Sequence, residues 1–428
     1  MEHSAIALSS AMGAYKDIVI TEKEKNILQE LAREVAYLAS LPVEQTKKDL
    51  WYKHNDLIRV RPLIFCDPEI GWNEILPDEE LLCEGDLAQR WEMNLRKEIF
   101  WASKMKDDRV TEAFFNVPYI AYESNWGVSE IRHGGDHGGA YSWESPIKDI
   151  TDISMLKHPV IEIDYEKTKQ IFAVAESIFG GILKVRIKGA FWWSIGVTYT
   201  LANLRGLEQL MFDMYDNPDE LHNLMAFIRD GYLNKLEFLE NNKLLSLNND
   251  GSYVGSGGFG WTTELPAEGY DADKVRLKDM WGFCESQETS EISPSLFEEF
   301  VYPYQLPIME KFGLNCYGCC EGLHKRWDII KNAPNLRRVS VSPWAIEEEM
   351  AEKLGDKFIY SLKPNPAMLA MPVIDEDAIR SALRKSIRIA QKNSCHLEII
   401  MKDNTTIGNN PQNVIRWCEI ARQEIENN

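Results

Sequence analysis

Along most of this chain short apolar runs alternate with longer amphipathic stretches, and that alternation restricts the fold more than any other feature. Runs of strand length lie at 61–66, 117–122, 183–190, 244–249, 313–318, 337–342, 357–361 and 396–402. Helical spacing occupies 166–178, 204–242, 294–312, 323–332, 345–354, 375–392 and 411–426. Strand and helix in alternation call for a parallel sheet, because each helical crossover returns the chain in the same direction. Leu397-Glu398-Ile399-Ile400-Met401 is nearly continuous in apolar residues, as suits a strand covered on both faces. Eight such units predict a (β/α)8 TIM barrel, for which about 250 residues are typical and insertions common. A doubly wound open sheet is the alternative. It has little support, because no Gly-x-Gly-x-x-Gly follows the first strand and no P-loop is present.

The first 60 residues read as a helical extension and residues 61–428 as the barrel. Thr21 followed by Glu24 has the spacing of a capping box, ahead of Ile27, Leu28, Leu31, Val35 and Leu38 at helical intervals. Two long polar segments, 123–150 and 250–280, lack periodicity. Loops of that length in a compact domain are usually functional lids or disordered.

A formal charge of −20 argues against nucleic acid and anionic membrane surfaces as partners. No apolar run approaches the length that spans a bilayer. The start, Met1-Glu2-His3-Ser4, lacks the basic and apolar regions of a signal peptide. These features predict a cytoplasmic protein with its eight cysteines reduced. Thirteen tryptophans make a pocket for a flat or apolar ligand a reasonable expectation.

The densest chemistry lies between Cys316 and His324, where Cys316, Cys319, Cys320, Glu321 and His324 fall within nine residues. Thiolate and imidazole suit zinc, and Cys319, Cys320, Glu321 and His324 are the candidate ligands. With no second Cys-x2-Cys pair, such a site would be catalytic and keep an open position. Buried, inert thiols at a strand end are the alternative. His133, Asp136 and His137 lie in a glycine-rich stretch and are candidates for facing substrate, or for a plain surface loop. Glu285 sits beside Trp281 and Phe283 and becomes a general acid if they desolvate it. Trp192 and Trp193 follow the strand at 183–190, where a barrel would present them at its mouth to hold a flat substrate.

Several of these segments resemble the uroporphyrinogen decarboxylase superfamily, and its corrinoid-dependent methyltransferase branch in particular. Gly189-Ala190-Phe191, the stretch from Arg205 to His222, and Ser293-Pro294-Ser295-Leu296-Phe297 running on to Pro303-Tyr304 carry the resemblance. It covers roughly residues 60–425. In that branch the strand at 313–318 would carry a His-x-Cys-Gly zinc motif. Here Cys319 or Cys320 takes the place of the cysteine, Gly318 or Tyr317 that of the histidine, and Lys402-Asp403 stands where a further cysteine would be.

The resemblance implies a methyltransferase that moves a methyl group from a methoxylated, aromatic or similar small substrate to the cob(I)alamin of a partner corrinoid protein. Zinc on Cys319 or Cys320 with Glu321 would assist ether cleavage, Glu285 would serve as acid, and Trp192 and Trp193 would hold the ring. A homodimer is compatible with the family. Two alternatives stand beside it. One is a metal-free decarboxylase or lyase using Arg132, Arg186 and Lys188 as cationic groups. The other is a non-catalytic barrel that binds a ligand or a corrinoid protein.

Overall fold

The computed structural model describes residues 18–134 and 141–427. Its strands are β1 (Leu63–Cys66), β2 (Phe114–Val117), β3 (Ala121–Glu123), β4 (Ile131–Gly134), β5 (Tyr141–Glu144), β6 (Ile161–Ile163), β7 (Lys184–Ile187), β8 (Trp281–Cys284), β9 (Leu314–Tyr317), β10 (Leu336–Val341), β11 (Ile359–Leu362) and β12 (His396–Met401). Six of them form one sheet in the order β1-β12-β11-β10-β9-β8, and every neighbouring pair is parallel. β2 and β7 form a separate parallel pair, and β3–β6 and β4–β5 are antiparallel pairs. The protein is therefore α/β with a six-stranded parallel sheet. Among the described residues the backbone ladders do not close into the expected eight-stranded barrel.

A strict period of two is hidden inside the apolar runs. On β12, Leu397, Ile399 and Met401 join the helices' core, while Ile400 packs with Trp51, Phe65, Phe259 and Trp261 on the other face. On β8 and β9, Cys284 and Tyr317 face the helices, whereas Trp281, Phe283, Leu314 and Cys316 face inward. Both faces are buried, so the alternation of a half-exposed strand does not show in the sequence. The helices Glu376–Lys392 and Gln412–Glu426 supply Leu383, Ile387, Trp417 and Cys418 to the outer core.

The strands expected at 117–122 and 244–249 differ: residues 118–120 are not strand and separate β2 from β3. Residues 244–249 form no strand, because the Asn248 side chain takes the place of backbone pairing. Its amide donates to Trp281 O and its Oδ1 accepts from Trp281 N–H, both at 2.9 Å. Trp281–Cys284, read as a mixed aromatic and acidic segment, is instead one of the two edge strands of the sheet. The single helix expected over 204–242 is three helices, Thr198–Arg205, Leu207–Asp216 and Pro218–Asn241. Gly206 at φ +88° and Pro218, which has no amide hydrogen, make the breaks.

The inner face is filled from two directions. The helix Pro42–Asn55 inserts its last turn, with Trp51 donating to Asp108 O at 2.7 Å and the Asn55 amide donating to Phe259 O and Trp261 O. The expected lid loop at 250–280 instead sends its first part inward, and residues 254–262 are buried throughout. Gly257, at φ +117°, passes where a Cβ would lie 2.4 Å from Ile400 Cγ2, so only glycine threads there. The extension also packs outward through Glu22–Ala39, whose Thr21–Glu24 capping box forms as the spacing predicts.

Candidate active site

The carboxyl ends of the parallel strands and the inserted loop enclose a cavity of about 510 Å³. Strand register assembles it. β1 and β12 run side by side with Cys66 opposite Met401, and Asp67 N–H donates to Met401 O at 2.8 Å. The residues that follow each strand, Asp67 and Glu69 on one side and Lys402 and Asp403 on the other, therefore meet at one rim. β8 adds Trp281 and Phe283, the segment after β7 adds Trp192 and Trp193, and the loop adds Tyr253. The two tryptophans expected to hold substrate are thus on its wall. Trp193 meets Phe283 edge to face at 5.1 Å and Trp192 meets Phe312 at 5.9 Å, which fixes both rings.

Lys402 is the buried cation of this wall. Its Nζ lies 2.9 Å from Asp403 Oδ1, 3.3 Å from Ser256 Oγ and 3.6 Å from Cys319 Sγ. Burial opposes its charge, but Cys319, Tyr253 and Asp403 more than offset that and hold its pKa well above the usual lysine range. The Cys320 thiol, 3.6 Å from Cys319 Sγ, and Lys402 together hold the Cys319 thiol below its usual range against burial. At the rim, burial and the charge of Asp67 push Glu69 up to about 7.

The expected zinc ligands do not come together. Among the described residues no group of three or more His, Cys, Asp or Glu side chains converges on a common point. Glu321 is turned to the backbone, accepting from Ser286 N–H at 2.8 Å and Cys319 N–H at 2.9 Å. His324 Nδ1 faces the Ile346 amide at 3.4 Å, on the wall of a second cavity of about 420 Å³. Cys319 and Cys320 are neighbours, with the Lys402 ammonium 3.6 Å from the Cys319 sulfur and the Asp403 carboxylate 3.6 Å from the Cys320 sulfur. Cys320 and Glu321 border the second cavity together with His324, but the side chains do not converge on a common point, so the donor set expected from spacing is not formed.

Glu285 is buried, and burial with the nearby Glu288 and Glu321 raises its pKa well above the usual carboxylate range. A shift in that direction favours the protonated form that an acid needs. Its position differs from expectation, since its oxygens accept from Ser194 Oγ and Gln287 N–H, each at 3.0 Å, and it is not on the wall of the large cavity. His133 lies on the β4–β5 ribbon, exposed and 3.2 Å from Glu144, away from both cavities. His137 and Asp136 lie outside the described residues. Of the cations considered for a decarboxylase, Arg186 and Lys188 are bound to Asp250 at 3.1 and 2.6 Å, and Arg132 pairs with Glu130. No helix among the described residues is long and apolar enough to cross a membrane.

Asp67, Glu69, Trp101 and Tyr253 were not singled out from sequence. Asp67 had a usable signal, since it directly follows a buried parallel strand, and such positions carry chemistry in α/β folds. No family model matches the chain, and no curated protein does. Among solved structures the chain is similar to a methyltransferase from Methanosarcina mazei. That likeness covers 89% of this chain and 99% of the other, at 9% sequence identity and a TM-score of 0.47.

Proposed function

We propose that this chain is a methyltransferase that takes a methyl group from a small methylated substrate and delivers it to the cob(I)alamin of a partner corrinoid protein, on a barrel of the (β/α)8 type. The observation that carries this reading is the aromatic cavity at the carboxyl ends of parallel strands, the place where such folds hold their substrates. The sequence resemblance of residues 189–191, 205–222 and 293–304 supplies the reaction class.

The cob(I)alamin supplies the nucleophile that accepts the methyl group. This chain's residues do the remainder. Trp192, Trp193 and Phe283 hold the substrate by ring contact and keep water from the transfer path. A methoxylated substrate would leave as an oxyanion, and Lys402 is the wall cation that can face it. No step is assigned to zinc, because the donors do not converge.

The test is direct. The full chain is mixed with chemically reduced cob(I)alamin and a panel of methoxyaromatics, methylamines and methylthiols, and loss of the cob(I)alamin absorbance is followed. Enzyme-dependent loss with at least one donor is expected, and it should fall on Trp193→Ala substitution. No loss with any donor overturns the reading.

A further inference from the structure

We propose that the large cavity binds a methylated onium ion, of which a quaternary ammonium is the simplest case, so that the methyl donor is a cation and not a neutral ether. The role as donor rests on the methyl-transfer reading above; the binding itself does not.

Four observations lead there. First, the wall is aromatic: Phe65, Trp101, Trp192, Trp193, Tyr253 and Trp281 all border the cavity. A quaternary ammonium has no N–H to donate, so it is held by aromatic faces and diffuse negative charge. Second, the rim is acidic. Asp67, Glu69 and Asp403 are brought together by the β1–β12 register. Third, the cations that border the cavity already have carboxylate partners. Arg109 makes two bonds to Glu98, at 2.8 and 2.5 Å, while its guanidinium lies 4.2 Å above the Trp101 ring. Lys402 is held by Asp403 at 2.9 Å. An anionic aromatic substrate would have to break one of these pairs. Fourth, the acids of the rim repel one another. Glu69 faces Asp67, Asp403 and Lys402, and burial with the Asp67 charge pushes it up to about 7. A bound cation relieves that repulsion.

The chemistry of departure agrees. When a methyl–nitrogen bond of a quaternary ammonium breaks, nitrogen keeps the bonding pair and leaves as a neutral tertiary amine. The acceptor supplies the electron pair of the new bond, and no proton moves. Such a donor needs neither a Lewis acid nor a general acid. That suits a cavity whose candidate acid, Glu285, lies off the wall, tied to Ser194 and Gln287.

Calorimetric titration of the full chain with choline and with its neutral carbon isostere, at fixed ionic strength, tests the inference. Choline is expected to bind about tenfold tighter than the isostere. Its affinity should rise with pH through neutrality as Glu69 loses its proton, and Glu69→Gln should flatten that rise. Trp193→Leu should weaken choline severalfold while circular dichroism stays unchanged. Equal or tighter binding of the isostere, or of a methoxybenzoate, overturns the inference. The two readings fail separately. Methyl transfer to cob(I)alamin from ethers alone leaves the function standing and removes the onium. Choline binding without transfer from any donor removes the function and leaves the onium site.

Discussion

Glu398 sits fully buried on the inner face of β12, and replacing it with Gln should cost more stability than any other single change in the sheet. Its carboxylate lies 2.9 Å from Arg338 Nε and 3.1 Å from His54 Nε2, and it accepts from Ser361 Oγ at 2.5 Å. Burial alone would raise its pKa, but Arg338, His54 and Lys363 hold it at about 2. Against an unfolded value of about 4.3, that difference contributes on the order of 3 kcal/mol. A depressed carboxylate stabilises above its unfolded pKa, so the contribution is complete at neutral pH. It is lost as pH falls from about 4.3 through about 2. Glu398→Gln also leaves the Arg338 guanidinium buried without its counter-charge, for which about 3–5 kcal/mol is expected. Urea unfolding followed by tryptophan fluorescence at neutral pH measures this, and repeating it toward acid should shrink the gap between the two proteins. The double variant Arg338→Met/Glu398→Leu should be less destabilised than Glu398→Gln, because the buried guanidinium no longer lacks its counter-charge. A loss under about 1 kcal/mol at neutral pH, or a double variant worse than the single, refutes the reasoning.

Gly257→Ala combines a φ of +117° with a 2.4 Å approach to Ile400 Cγ2, and should destabilise by about 2–4 kcal/mol, partly restored by Ile400→Ala. Burial pushes Lys363 down to about 7, so between there and about 10.5 the unfolded chain binds more protons than the native one. Stability should therefore rise with pH across that window, by up to about 1.4 kcal/mol per unit, and Lys363→Met should remove that slope in denaturant titrations. Because the donors do not converge, Cys319→Ala and Cys320→Ala should leave zinc content unchanged. Stoichiometric zinc in the unmodified protein, lost from both variants, would restore the metal centre.

Much of the sheet was legible because parallel strands buried on both faces announce themselves as apolar runs. β1, β7, β9, β10, β11 and β12 fall within or against the runs read from sequence. The errors share a cause. Whether residues 244–249 or 281–284 pair with the sheet depends on the Asn248 side chain bridging to Trp281, a long-range contact with no local pattern. Likewise, nothing in a glycine-rich polar stretch distinguishes a lid from a segment threaded into the interior. Only the fit of Gly257 against Ile400 and of Gly258 against Glu398 and Arg338 decides it.

The site was less legible because its groups meet through register, and spacing along one segment was the wrong guide. Cys320, Glu321 and His324 are close in sequence and border one cavity without forming a ligand set, whereas Asp67 and Lys402 are far apart in sequence and share a rim. One signal did point inward. Glu398 is the only charge in Leu397-Glu398-Ile399-Ile400-Met401, and Arg338 precedes Val339-Ser340-Val341 in β10. A single acid in one doubly buried strand and a base in another require each other, since neither can be buried unpaired. Period two then puts both on the inner face. The same rule extends upward from Glu398 through Ile400 to Lys402, which places Lys402 above this network and on the cavity wall. Lys402 is thus tied to the cavity wall by strand periodicity, with Asp403 beside it to offset its charge.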